Sequence, residues 1–204
     1  MKEIIAIALI VLSSLTASAQ KIELGLNGGI TPYRWADHTF KYLQNASGAS
    51  DLFKKDIGYY SSFRVALNLH GWQFGAAVDK FQVGLTGPFI GAGPDQITFN
   101  NHTPYLFVNK LFRLPKSYFY AGVNGGFNFI KSVFTSGGKT TATGNHTGYN
   151  GGVQAGYTLS LVKGISANAE VGARYLHLRY SLFNNDGISK QMIFPLSLGV
   201  RYAF

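Results

Sequence analysis

Hydrophobic and polar residues alternate along most of this chain. The clearest stretch is 149–161, where Tyr149, Val153, Ala155, Tyr157, Leu159 and Leu161 share one face. Asn150, Gly152, Gln154, Gly156, Thr158 and Ser160 share the other. A period of two predicts a β-strand with unlike surroundings on its two faces. The same pattern runs through 21–30, 60–70, 72–80, 118–130, 165–175 and 191–204. Residues 103–113 make a weaker strand, because both faces are mixed and the phase is not fixed. The pattern therefore predicts eight strands.

Their connections alternate in length. Short ones fall at 70–71, 114–117 and 162–164; longer ones fall at 31–58, 84–96, 131–148 and 181–190. Short turns at one end and long loops at the other are the signature of an up-and-down membrane barrel. Pro32, Pro88, Pro94, Pro104 and Pro115 fall in or beside connections, where strands tolerate them. Pro195 falls inside the last strand, which predicts a bulge or the rim there.

The polar face chooses between lipid and water. A solvated face favours Lys, Glu and Thr, but this one carries Gly, Asn, Gln and Ser with a few charges. Small polar residues suit a narrow lumen, and nothing else in the sequence covers the apolar face. The expected fold is all-β, an eight-stranded antiparallel up-and-down transmembrane β-barrel. Outward aromatics sort by height: Trp72, Phe119, Tyr157, Tyr202 and Phe204 near the short turns, and Phe63, Phe127, Phe129, Tyr149, Tyr175 and Phe194 near the long loops. Two aromatic girdles around a band of Leu, Val and Ala are what interfacial anchoring requires.

The first residues follow a different rule. Lys2, the apolar run Ile4 to Leu12 and the Ala17-Ser18-Ala19 site form an export signal. The expected division is a cleaved signal peptide, 1–19, and a barrel domain, 20–204. No Cys follows the cleavage site to carry a lipid anchor. That nine-residue run is the longest apolar one, too short for a spanning helix.

Composition narrows the chemistry. Aromatic residues at 15% and apolar residues at 46% exclude disorder, and zero Cys excludes a disulfide scaffold. The formal net charge is +9, but its basic residues are dispersed over turns and loops, not gathered into a nucleic-acid surface. At the rims of a membrane barrel they would meet lipid headgroup phosphates. Six charges fall on the inward face: Glu23, Asp79 and Glu170 against Arg64, Arg174 and Arg201. An eight-stranded lumen is only wide enough for side chains, so these charges are expected to pair into a structural plug. Glu170 and Arg174 are each expected to meet a neighbouring strand, and Arg201 to approach Glu23. No Ser/His/acid set, metal-ligand spacing or phosphate loop stands out, so no enzyme activity, metal or cofactor is expected. Three N-x-S/T triplets, at Asn45, Asn101 and Asn145, read as chance matches.

The C-terminus, Leu198-Gly199-Val200-Arg201-Tyr202-Ala203-Phe204, alternates down to a final aromatic. It resembles the last strand of the small outer-membrane β-barrel proteins. Residues 105–110 and 120–126 are similar to strands of the porin-like, PorT-like group of outer-membrane β-barrel domains. The resemblance implies export to the bacterial outer membrane, with Tyr202 and Phe204 as the signal read by the barrel assembly machinery. The partners so expected are outer-membrane lipid and lipopolysaccharide, that machinery during biogenesis, and an unidentified extracellular loop partner, with no nucleic acid and a monomeric barrel. The functions in play are a non-enzymatic scaffold presenting four loops, a small-solute channel, and a PorT-like accessory of protein secretion. A soluble lipocalin-type barrel, with its apolar face inward, is the remaining alternative.

Overall fold

The computed structural model describes residues 21–35, 54–87, 95–136, 138–182 and 185–204. The expected signal peptide lies outside them. Ten strand segments follow in chain order: β1 (Lys21–Thr31), β2 (Tyr33–Trp35), β3 (Lys54–Leu69), β4 (Trp72–Gly87), β5 (Asp95–Leu114), β6 (Ser117–Ser136), β7 (Lys139–Val162), β8 (Ile165–Leu182), β9 (Asn185–Ile193) and β10 (Leu196–Ala203). All belong to one antiparallel sheet. β1 and β2 form one strand of the wall and β9 and β10 another, so the wall has eight. β10 pairs with β1, and β8 pairs with both β9 and β10, which closes the ring. Up to the level of Thr31↔Gly58 closure leaves no free edge; above it β2 pairs with β9 alone.

The register fixes the shape. Partners followed around the ring from Phe119, through Tyr157, Ala169, Leu198, Gly28, Ser61, Lys80 and His102, return to β6 at Phe129. A stagger of ten residues over eight strands tilts them by about 40°.

The three prolines within strands do not shift the register. Pro32 and Pro195 interrupt their strands at opposed positions, and the pairing is the same on either side. Neither the bulge nor the rim expected at Pro195 exists. Instead Pro32 O accepts from Phe194 N at 2.8 Å and Pro195 O from Gly172 N at 2.9 Å. Each proline only omits the bond that its missing N–H would return. Pro32 and Pro104 were expected in or beside connections; Pro32 instead lies between β1 and β2 of one wall strand, and Pro104 lies inside β5, between His102↔Phe129 and Tyr105↔Gly126.

Three short turns occupy one end: His70-Gly71, Pro115-Lys116 and Lys163-Gly164. His70 and Gly71 have φ of 44° and 82°, the left-handed pair that a two-residue hairpin needs. The other end differs from expectation. Residues 131–148 are not a long loop, because β6 and β7 continue as a paired hairpin to Ser136↔Lys139. The wall strands reach 24 residues in β7, about twice what a bilayer requires. The sequence pattern stops earlier because beyond the lipid neither face is apolar, while the backbone ladder continues.

Alternation in burial assigns the faces. The structure fixes β5: Asn101, Thr103, Tyr105, Phe107, Asn109 and Leu111 point inward and are buried. Tyr105 and Phe107 are large aromatics inside the lumen, which is why that strand looked mixed. Space for them comes from small neighbours. A Cβ on Gly75 would lie 2.4 Å from Phe107 Cζ, and one on Gly156 would lie 2.3 Å from Tyr120 Cζ.

Candidate functional site

The lumen is built in layers. Nearest the short turns, Glu23 accepts from Arg201 Nη1 at 2.9 Å, Tyr118 OH at 2.7 Å and Gln73 Nε2 at 3.2 Å. Arg201 Nη2 also donates to Tyr120 OH at 2.7 Å, and that hydroxyl donates to Glu170 Oε2 at 2.5 Å. One layer up, Arg64 grips Glu170 with both terminal nitrogens, at 2.6 and 2.7 Å. Above it, Arg174 pairs with Asp79, which also accepts from Tyr60 OH at 2.9 Å.

All six inward charges are therefore in ion pairs. Arg201 and Glu23 face each other on adjacent strands. The expectation of neighbouring partners for Glu170 and Arg174 is corrected: Arg64 on β3 and Asp79 on β4 lie across the lumen from β8. An arginine side chain is long enough to span so narrow a barrel, and Gly25 beside the Arg64 stem leaves it room. Burial of Arg64 (0%), Arg174 (1%) and Arg201 (1%) is nearly complete, so each needs its carboxylate partner. Arg64 also lies 5.4 Å from the Phe107 ring centre, and Arg174 lies 4.1 Å from that of Tyr105.

Reading only charges missed an amide relay on the same face. Asn124 donates to Gln154, Gln154 to Asn109, and Asn109 to Gln73, each at 2.9 Å. The period-two pattern already placed Gln73, Asn124 and Gln154 inward; only the phase of β5 hid Asn109. Higher in the lumen, Tyr60, Phe81, Ile130, Leu176 and Ile193 form an apolar layer. Above that, Ser132 Oγ and His146 Nε2 meet at 2.9 Å. Both residues fall in the segment read as a loop, so their shared face was not visible.

The outer wall is the inverse of the lumen. Trp72, Phe119, Phe127, Phe129, Tyr149 and Tyr175 are exposed there, and Tyr157 packs 4.7 Å from Phe119 between ring centroids. Tyr202 and Phe204 also point outward, 5.7 Å apart, and Phe204 completes the ladder with Ile22. Phe63 pairs with Leu26 and Val78, in the middle of the band and not near its upper edge. Among side chains described, the acids Glu23, Asp79 and Glu170 are all inside. The charges outside are all basic: Lys21, Lys110, Arg113, Lys116 and Lys163 toward the short turns, and Lys80, Lys131, Lys139, Arg179 and Lys190 toward the other end.

Comparison with solved structures gives this architecture its place. The chain is similar to a major outer membrane protein from Thermus thermophilus, at 13% identity and a TM-score of 0.54 over 92% of this chain and 100% of that one. The outer membrane protein OprG from Pseudomonas aeruginosa matches at 11% identity and 0.52, over 91% and 95%. Outer membrane protein AlkL, solved in lipid bilayers, matches at 14% and 0.50, over 89% and 90%. The fold is that of a small outer-membrane β-barrel. No protein-family model and no curated protein matches the sequence.

Proposed function

We propose that this chain is a non-enzymatic barrel of the bacterial outer membrane, a lipid-embedded scaffold with a plugged lumen. The plug carries the reading. Two ion pairs, Arg64–Glu170 and Arg174–Asp79, cross the lumen at different heights, and a third, Arg201–Glu23, lies below them. Aromatic rings and the amide relay occupy the levels between. A solute path would have to break buried, charge-assisted bonds at each level. The wall strands extended past the lipid then present the exposed surface of the molecule. Single-channel recording in planar bilayers tests this reading: the wild-type protein is expected to show no steady conductance. A stable open channel would put the small-solute pore in its place.

A further inference from the structure

Above the upper girdle the ring parts into two sheets. β7 and β8 are paired up to Thr147↔Arg179, and Thr147 is itself the partner of Phe129 in the girdle. β1 and β3 part above Thr31↔Gly58. Beyond these points β3, β4, β5, β6 and β7 continue as one sheet, and β8, β9 and β2 as another.

At the first parting β7 presents the longer edge. Among the described residues, 139–146 pair with β6 alone, whereas β8 has only 180–182 beyond its last partner on β7. At about 3.4 Å per residue the β7 edge is about 27 Å long. Alternate residues of an antiparallel strand turn N–H and C=O to the same side, so about four of these residues offer bonds to a further strand. Such an edge is a template for pairing unless it is short, bulged, or guarded by charge or proline. This one has a single charge, Lys139 at its tip, and no proline. Its register slips once, at Thr141, and 142–146 below the slip pair regularly. Thr140, Thr141 and Thr143 are β-branched residues that favour strands.

The surroundings select the occupant. Lys131 on β6 is the partner of Asn145, Lys139 stands at the tip of the edge and Arg179 at its foot; all three are exposed. No described acid lies on the outer wall. A strand laid against β7 lies one strand spacing from Lys139 and two, about 10 Å, from Lys131. A second copy in the same membrane stands the same way up. Its β7 would run parallel, the less stable pairing, and would bring the same basic residues against these. An acidic segment arriving from another protein meets neither obstacle.

We propose that the β7 edge, 139–146, takes up an extended, acidic segment of another protein as an added antiparallel strand. Main-chain bonds to β7 hold the segment, and carboxylates on its alternate residues, beside Lys131, Lys139 and Arg179, select it. The inference deepens the scaffold reading and rests on its placing of the extended wall outside the lipid.

The test uses the folded chain in lipid nanodiscs, with backbone hydrogen exchange read by mass spectrometry. The probes are synthetic peptides about eight residues long, to match the edge. One alternates Glu and Thr, one alternates Lys and Thr, and the third is the Glu form N-methylated at alternate amides. Before peptide is added, 139–146 are expected to exchange at least about tenfold faster than 149–161. The Glu peptide should slow exchange across 139–146 and bind about tenfold tighter than either of the others. Lys131→Glu with Lys139→Glu should weaken it by about fivefold or more, and Lys116→Glu with Lys163→Glu, at the opposite end, should leave it unchanged. Slow exchange at 139–146 without peptide would mean that the chain covers its own edge, and would overturn the proposal. So would a lack of binding, or equal binding of the Glu peptide and either counterpart. Both reversed lysines are exposed; if that variant does not fold, the three peptides on the wild-type chain decide alone. Steady conductance would defeat the plug, and extraction without detergent the membrane placement, whereas the peptide comparison decides the edge.

Discussion

Each lumen arginine is held by more than its carboxylate, and this shapes what its removal does. Arg201→Ala leaves Glu23 with Tyr118 and Gln73 as hydrogen-bond donors but without its cation. An unpaired buried charge costs about 3–5 kcal/mol. The variant is expected to unfold at clearly lower denaturant concentration in micelles. Adding Glu23→Ala should recover part of the loss, but not all, because Arg201 also bonds Tyr120. Strict additivity of the two changes would show that the pair is not coupled. On the other face, Val153 is 57% exposed toward lipid, while Gln154 beside it is buried in the amide relay. Arginine on the lipid face near the bilayer midplane costs roughly 2–4 kcal/mol. Val153→Arg is therefore expected to destabilise the barrel by that amount in vesicle unfolding; wild-type stability would reverse the assignment of faces. The faces and the six inward charges were legible, because alternation reports them directly. Who pairs with whom across the lumen was not, because the sequence does not print the barrel's diameter or its stagger.

At the scale of strands, legibility follows the lipid. Where one face meets an apolar medium, period two is sharp, as in residues 149–161. Beyond it, residues 139–148 read Lys-Thr-Thr-Ala-Thr-Gly-Asn-His-Thr-Gly, and no face stands out, although β7 continues through them. The Ser132–His146 contact was lost with that extension. β5 was obscure for the opposite reason, since it turns Tyr105 and Phe107 inward. Proline within a strand also misled, because a proline needs only that its own N–H be dispensable. Pro195→Ala should restore a donor toward Gly172 O and raise stability modestly, by about 0.5–1.5 kcal/mol, less whatever unfolded-state freedom the change adds. A large loss in chemical unfolding would instead give the ring a packing role. The final strand carries a separate expectation. Phe204 points outward and its backbone closes against Ile22, so its side chain adds little to the lumen. Deleting it should lower outer-membrane levels in cells while refolding into detergent proceeds. Unchanged membrane yield would remove Phe204 as an assembly signal.

For the whole molecule, the distance between the girdles sets the membrane it fits. On β6, Phe119 and Phe129 are ten residues apart, and on β7, Tyr149 and Tyr157 are eight apart. At about 3.3 Å per residue and a tilt of about 40°, these intervals give an apolar band of about 20–25 Å. Lys21, Arg113, Lys116 and Lys163 lie beyond the lower edge, and Lys131, Lys139, Arg179 and Lys190 beyond the upper one, where headgroup phosphates from either leaflet can meet them. The inner charges cancel in three pairs, so the positive balance of the described barrel is carried on its outside. A band of this height is shorter than the hydrocarbon of an average bilayer, about 30 Å. Because the strands are locked by a closed ladder and a bonded lumen, the barrel cannot stretch, and a thicker bilayer must thin around it. That adjustment costs fractions of a kcal/mol per Å of mismatch. Folding into short-chain phosphatidylcholine vesicles, with hydrocarbon near 20–25 Å, is therefore expected to give higher yield and greater stability than folding into long-chain vesicles. The comparison is made by denaturant titration, with folded protein read from its migration on unheated gels. Stability that rises toward the thickest bilayer would mean that the girdles are not the edges of the band, and that more of the extended hairpin wall lies in lipid.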